Sequence, residues 1–279
     1  MLTATLLAVG SAFVHASWNL LIKTSDDRTL AGWGQFTAAA VLAVAALVVV
    51  GGPGWEAVPY LVATGVVHIV YVEALVAAYV HGDFSLTYPL ARGGGAVLAA
   101  VGSVVLLDDH LPAGSWVAIA IAAAGLFALS GGDAAADSRR ALAYAAVTAA
   151  TIATYTLVDS AGSRAVDSGL SYGLASSAVS GSLVCLANLA RPSRRTRVGE
   201  LRKDWRRHLV GGAATLVAYT MVLVAVRLAP VGYVTMLRES SVVIGPLLGW
   251  LLLHEALGRH RLLPSAVVLL GLVLLVITA

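Results

Sequence analysis

Four charged side chains stand inside apolar runs of this sequence. They are Arg92 in TYPLARGGG (87–95), Arg238 and Glu239 in TMLRESS (235–241), and Glu73 in VYVEAL (70–75). An arginine keeps its charge at any ordinary pH, so each must be paired, hydrated or bound to an anion. Its planar fork matches the two oxygens of a carboxylate or phosphate, which suits it to holding an anionic ligand. A carboxyl group in the same setting can carry a proton, because loss of water favours its neutral form. Glu73, Glu239 and His15 are the candidates for a coupling proton. The chemistry on offer is anion binding and proton carriage, not bond cleavage. No HExxH, GxSxG or Walker A pattern occurs, and a single cysteine, Cys185, excludes an internal disulfide and a cysteine metal cluster. Neither a metal nor a cofactor is expected.

Softer polar groups accompany the charges. Trp18 and Asn19 follow His15 in HASWN (15–19), and Tyr88, Tyr155 and Tyr233 add hydroxyls. With Arg92, Arg238, Glu73 and Glu239 they form the expected substrate-binding set. His68, like His15 inside a helix, reads first as a hydrogen-bonded packing residue and second as a proton carrier. Lys23, Asp159 and Arg227 fall at predicted helix ends and read as interfacial.

The elements that hold these residues follow from composition. The chain has 279 residues, 59% hydrophobic and 12% charged, against about 25% charged in soluble domains. Mean hydropathy is +0.86. This is an all-α integral membrane protein. About 20 apolar residues cross a bilayer as a helix, and the chain supplies ten such segments: 2–22, 30–50, 59–80, 84–107, 115–131, 141–161, 170–190, 208–228, 231–253 and 262–279. Gly-Pro clusters and charged loops separate them. The first segment lacks a positive leader and is too long for a signal peptide, so it reads as a transmembrane helix.

The two halves match. A shift of 146 places Arg92 on Arg238, Asp109-His-Leu111 on Glu255-Ala-Leu257 and Gly125-Leu126 on Gly271-Leu272. The acid-to-glycine interval is 16 residues in both. Near the two starts a shift of 137 places Trp18 on Tyr155, the longer loop at 191–207 accounting for the difference. Five helices per half invert the second copy in the membrane, which predicts two inverted repeats, 1–131 and 141–279. Many secondary transporters alternate access around a midplane site in this way.

Depth then locates the charges. At 1.5 Å per residue Arg92 lies about 12 Å from one membrane face and Arg238 about 10–11 Å from the other. In a core of about 30 Å both sit near the midplane, where charges face a bundle interior or wet cavity. Glu73, on the neighbouring segment at nearly equal depth, is the expected partner of Arg92, with Glu239 in reach. The set makes either a self-neutralised network that fixes packing or a site in which an arginine receives a substrate anion. Gly93-Gly94-Gly95 matches Glu239-Ser240-Ser241. Its small residues leave room beside the arginine, whereas a phosphate loop would need a preceding strand and a following Lys-Ser/Thr. Pro89 and Pro246 favour kinks.

With its five-plus-five helices, HASWN in the first, and an acid-x-Leu followed by Gly-Leu in each half, the chain resembles the drug/metabolite transporter superfamily, EamA type, over essentially its whole length. Asp109 departs from the usual Glu. The resemblance implies a polytopic exporter or importer of small metabolites, with helices 1, 3, 4, 6, 8 and 9 around the cavity.

Fourteen of the 18 Lys and Arg residues lie in loops after odd-numbered segments. The positive-inside rule puts those loops in the cytoplasm and both termini outside, whereas the resemblance implies cytoplasmic termini. The expected function is a secondary transporter, an exporter by preference, of a small polar metabolite such as an amino acid or organic anion across a bacterial-type inner membrane. Efflux of lipophilic cations is the alternative, and a lipid-modifying enzyme is a third. Expected partners are the substrate, the bilayer and a coupling proton, with a homodimer open. Nucleic acid is not among them.

Overall fold

The computed structural model describes residues 1–81, 84–129, 138–254 and 259–279. They form helices and connecting turns, with no strand among the described residues. The first half carries α1 (Leu2–Lys23), α2 (Arg28–Val50), α3 (Val58–His81), α4 (Phe84–Leu106) and α5 (Ala113–Ala128). The second carries α6 (Ser138–Ala165), α7 (Gly169–Leu189), the single turn α8 (Pro192–Arg195), α9 (Trp205–Ala225), α10 (Val231–Arg238), α11 (Ser241–Leu253) and α12 (Arg259–Thr278). Among the described residues nine stretches are long and apolar enough to cross a membrane, α10 and α11 counting as one, and α5 is a shorter tenth. Large apolar side chains line the outside, with Val48 and Val49 over four-fifths exposed. Water does not tolerate apolar surface on this scale, and a bilayer covers it. The chain is a multi-pass membrane protein.

Local signals set the helix ends. Asp27 caps α2 by accepting from the Leu30 N–H, and Ser168 caps α7 by accepting from the Ser171 N–H. Gly51, at φ 90°, stops α2 in a conformation that favours glycine. Pro112 and Pro230 stand just ahead of α5 and α10.

Packing relies on small residues. The alanines of α1 at 4, 8, 12 and 16 are buried, and so are those of α6 at 141, 145, 149 and 153. The two sets stand at the same 137-residue offset as Trp18 and Tyr155. Close backbone approach of this kind lets helices associate in lipid, where apolar burial alone supplies no drive. α6 packs on α3 and α4, while α1 packs on α9 and on α10–α11. α2 meets α7, and α5 meets α12. Exchanging the halves in order maps these contacts onto themselves.

The ninth predicted segment, 231–253, is not continuous. α10 ends at Arg238 and α11 begins at Ser241. Across Glu239 and Ser240 the hydrogen bonds tighten to i→i−3, from the Glu239 N–H to Met236 O and from the Ser240 N–H to Leu237 O. The break falls on the charged residues and not at Pro246, which lies inside α11.

Candidate functional site

The site forms where α1, α4, α6 and α10 converge. Arg92 reaches it from α4, beside the glycine triplet. A Cβ on Gly95 would lie 2.6 Å from the Ile152 side chain, so glycine here lets α4 close on α6. Glu239 enters from the junction of α10 and α11. The Arg92 fork grips it with Nη2 donating to Oε1 at 2.7 Å and Nε donating to Oε2 at 3.2 Å. Arg92 Nη1 also lies 3.4 Å from His15 Nε2 on α1. Glu239 is buried, and the Arg92 side chain is 17% exposed.

A cleft beside this pair is lined by Arg92, Tyr155, Thr156, Thr235, Arg238 and Glu239, with small apolar residues around them. Arg238 is half-buried. Among the described residues no carboxylate lies within ion-pairing distance of it. Among the described residues the layer therefore holds two guanidinium charges against one carboxylate. Charges at membrane depth mark substrate and ion pathways, and the excess here is positive. In the α10–α11 break, the Ser240 and Ser241 hydroxyls have no hydrogen-bond partner among the described residues, and neither does the Trp18 indole N–H. Broken helices of this kind recur at transporter binding sites, where free polar groups meet a ligand.

The structure separates the expected site residues. Arg92, Arg238, Glu239 and Tyr155 come together. His15 joins through Arg92, and Trp18 stands edge-on to His15 with ring centroids 4.7 Å apart. Asn19 lies on the same helix but donates its amide N–H back to His15 O at 2.8 Å. Glu73 does not meet Arg92. Its side chain is 56% exposed and pairs with Arg191, just beyond α7. α3 packs mainly on α6 and α7 and touches α4 only slightly, so adjacency in sequence is not adjacency in space. Tyr233 is also absent from the cleft. It is buried, and its hydroxyl lies 2.6 Å from Thr5 Oγ1. The Tyr88 side chain, together with Glu255-Ala-Leu257, lies outside the described residues.

Asp159 is not interfacial. α6 runs to Ala165 and not to 161, which carries Asp159 inward to full burial. Hydroxyls surround it. Tyr172 donates to Oδ1 at 2.9 Å, Thr64 to Oδ2 at 3.0 Å, Ser176 lies 3.3 Å from both oxygens, and Tyr219 also donates to Oδ2. The sequence signal for it was the i, i+4 spacing from Tyr155, which puts both residues on one face of α6.

Two faces flank the site. On the face of the loops after even segments, Asp109 joins three connections. Its Oδ1 accepts from Arg164 Nη1 at 2.8 Å, and its Oδ2 accepts from the Val231 N–H at 2.6 Å, which caps α10. Arg164 also donates to Val226 O and Ala229 O, and Arg227 donates to Ser163 O and Val166 O. On the opposite face Arg197 bridges Asp27 and Glu200. The Leu30 N–H and the Arg197 guanidinium hold the Asp27 carboxyl below the usual carboxylate range. Arg197 does the same to Glu200.

Residues 139–277 match the profile of the EamA-like transporter family. No curated protein matches the chain. One solved crystal structure, described only as that of a protein, superposes with a TM-score of 0.75 over 99% of this chain and 99% of its own, at 16% identity. At that identity the likeness shows the fold alone.

Proposed function

The chain belongs to the EamA-like transporter family, and on that premise we propose that it is a secondary transporter of a small metabolite bearing a carboxylate or phosphate group. It is a membrane transporter of the drug/metabolite type. The anionic cargo is inferred from Arg238. Glu239 is gripped by Arg92, while Arg238 lines the same cleft with no carboxylate in ion-pairing reach among the described residues. A buried charge is tolerated when something compensates it, and a substrate anion met by the guanidinium fork does so during each cycle. Tyr155, Thr156 and Thr235 supply hydroxyls to orient the remainder of a small polar molecule. The proposal includes two inverted five-helix repeats around the cleft and export across a bacterial-type cytoplasmic membrane.

A thermal-shift panel on the purified protein tests the cargo class. Organic acids or phosphonates should raise the melting temperature of the wild type but not of Arg238→Gln. Stabilisation by lipophilic cationic dyes, and by no anion, would replace this reading with multidrug efflux. Everted vesicles should accumulate the stabilising anion if transport runs outward.

A further inference from the structure

Among the described residues six acidic side chains enter hydrogen-bonded clusters that span elements distant in sequence. Five of them meet a guanidinium: Glu239 with Arg92, Asp109 with Arg164, Glu73 with Arg191, and both Asp27 and Glu200 with Arg197. Asp159 is the deepest, at 0% exposure, and its partners are all hydroxyls. Among the described residues no arginine or lysine lies in ion-pairing distance of it. A carboxylate meant to stay ionised is best held by a cation or by N–H groups, which can only donate. A hydroxyl can donate or accept. A shell of Thr64, Tyr172, Ser176 and Tyr219 can therefore satisfy Asp159 as a carboxylate, with every hydroxyl donating. It can also satisfy the carboxylic acid, with one hydroxyl turned to accept. The lone pairs of the carboxylate already meet donors at hydrogen-bond spacing, so a proton fits this shell without expansion, whereas a metal ion would have to push the oxygens apart.

We propose that Asp159 is a proton-binding site, distinct from the arginine cleft, that couples the conformational cycle to a proton gradient. The inference rests on the transporter reading only for the word coupling; the binding site stands on the geometry. The four hydroxyls come from α3 in the first half and from α7 and α9 in the second, around a carboxylate on α6. When Asp159 is ionised, charge-assisted bonds tie α3 to the second half. Taking a proton from solvent water turns them into neutral bonds of roughly half the strength and loosens that tie. Returning the proton to water restores it.

The site is connected to the cleft. Thr64 O accepts from His68 Nδ1 at 2.8 Å, and the His68 ring lies 4.6 Å from the ring of Tyr155, which lines the cleft one helical turn before Asp159. The ionisable groups facing Asp159 are His68 on α3, Tyr172 on α7 and Tyr219 on α9. Tyr155 lies towards Arg92 on α4 and Arg238 on α10, and Tyr60 on α3 faces Tyr172. Tyr155 and His68 thus lie between the arginine cleft and the shell of Asp159.

Two readouts on the full chain in lipid test the site. Infrared difference spectra across a pH titration should show a protonated-carboxyl band that Asp159→Asn removes, that Asp159→Glu restores in shifted form, and that Asp109→Asn leaves in place. Hydrogen exchange over 58–81 and 169–189, corrected for intrinsic pH dependence, should rise as pH falls in the wild type. In Asp159→Asn it should stay at the acid level throughout. A titrating band that survives in Asp159→Asn, a titration that responds to sodium rather than pH, or a wild-type pH response of α3 in that variant would each overturn the proposal. If the asparagine variant does not fold, the glutamate variant decides: its band must titrate at a shifted pH. Neither readout uses a substrate. Their failure counts against Asp159 alone, and failure of the anion panel counts against the anionic-cargo reading alone.

Discussion

Arg92 and Glu239, 147 residues apart, close a two-pronged ion pair between the halves of the chain. Removing one partner leaves the other charge buried without it, which costs on the order of 3 kcal/mol. Glu239→Gln should therefore lower the unfolding temperature in detergent. Arg92→Gln combined with Glu239→Gln should recover most of the loss, because the charges leave together. A double variant less stable than either single one would show that the pair does not act as a unit.

Arg238 should behave in the opposite way. A half-buried guanidinium without a carboxylate partner is a stability burden in the empty protein, of the kind that functional sites accept. Arg238→Gln should raise the melting temperature while abolishing stabilisation by anions. Arg238→Lys should keep the charge and weaken the anion effect several-fold, since an ammonium lacks the fork. Loss of stability in Arg238→Gln would mean that the guanidinium is structural.

Asp109 serves as both ion partner and cap. Its Oδ2 takes the Val231 N–H, one of the donors a helix start leaves open. Asp109→Ala should cost roughly 1–2 kcal/mol. It should also speed amide exchange at the start of α10, from Val231 to Thr235, more than elsewhere. Unchanged protection there would separate the cap from the stability of α10.

Legibility in the sequence followed the physics of each signal. Helix positions were readable because a bilayer imposes length and polarity on every segment. Arg92, Arg238 and Glu239 were readable because charge at that depth is costly wherever it occurs. Glu73 was misplaced because depth fixes a level in the membrane but not a neighbour, and α3 turns toward α6 and α7. Asp159 was misplaced because α6 continues past 161, and four residues of added helix put the helix end about 6 Å further from its side chain. Its hydroxyl shell comes from four residues on three other helices, and no local pattern announces such a set. The buried alanines at 4, 8, 12 and 16 and those at 141, 145, 149 and 153 share the 137-residue offset, but alanine is too common in this chain to stand out.

The Asp27 cap gives a pH test. Its carboxyl titrates below the usual range in the folded protein, through the Leu30 N–H first and Arg197 next. A lowered folded value means that the contribution is complete above about pH 5 and fades as pH falls through the folded value. Asp27→Ala should cost roughly 1 kcal/mol at neutral pH, allowing for solvent exposure. The gap from wild type in thermal unfolding should close in acid. A gap independent of pH would assign the loss to packing.

The crossing of α5 and α12 has a consequence for how the chain is made. A Cβ on Gly125 would lie 2.7 Å from the Val268 N atom, and one on Gly271 would run into the Ala122 backbone, so each glycine admits the other helix's main chain. The main partner of α5 is α12. The 146 residues between these glycines take roughly 7–30 s to synthesise at about 5–20 residues per second. Through that interval α5 waits in the bilayer with its narrow face against lipid. The first five helices cannot finish assembling at the moment they emerge, and a chain that stops before α12 leaves them unfinished for good.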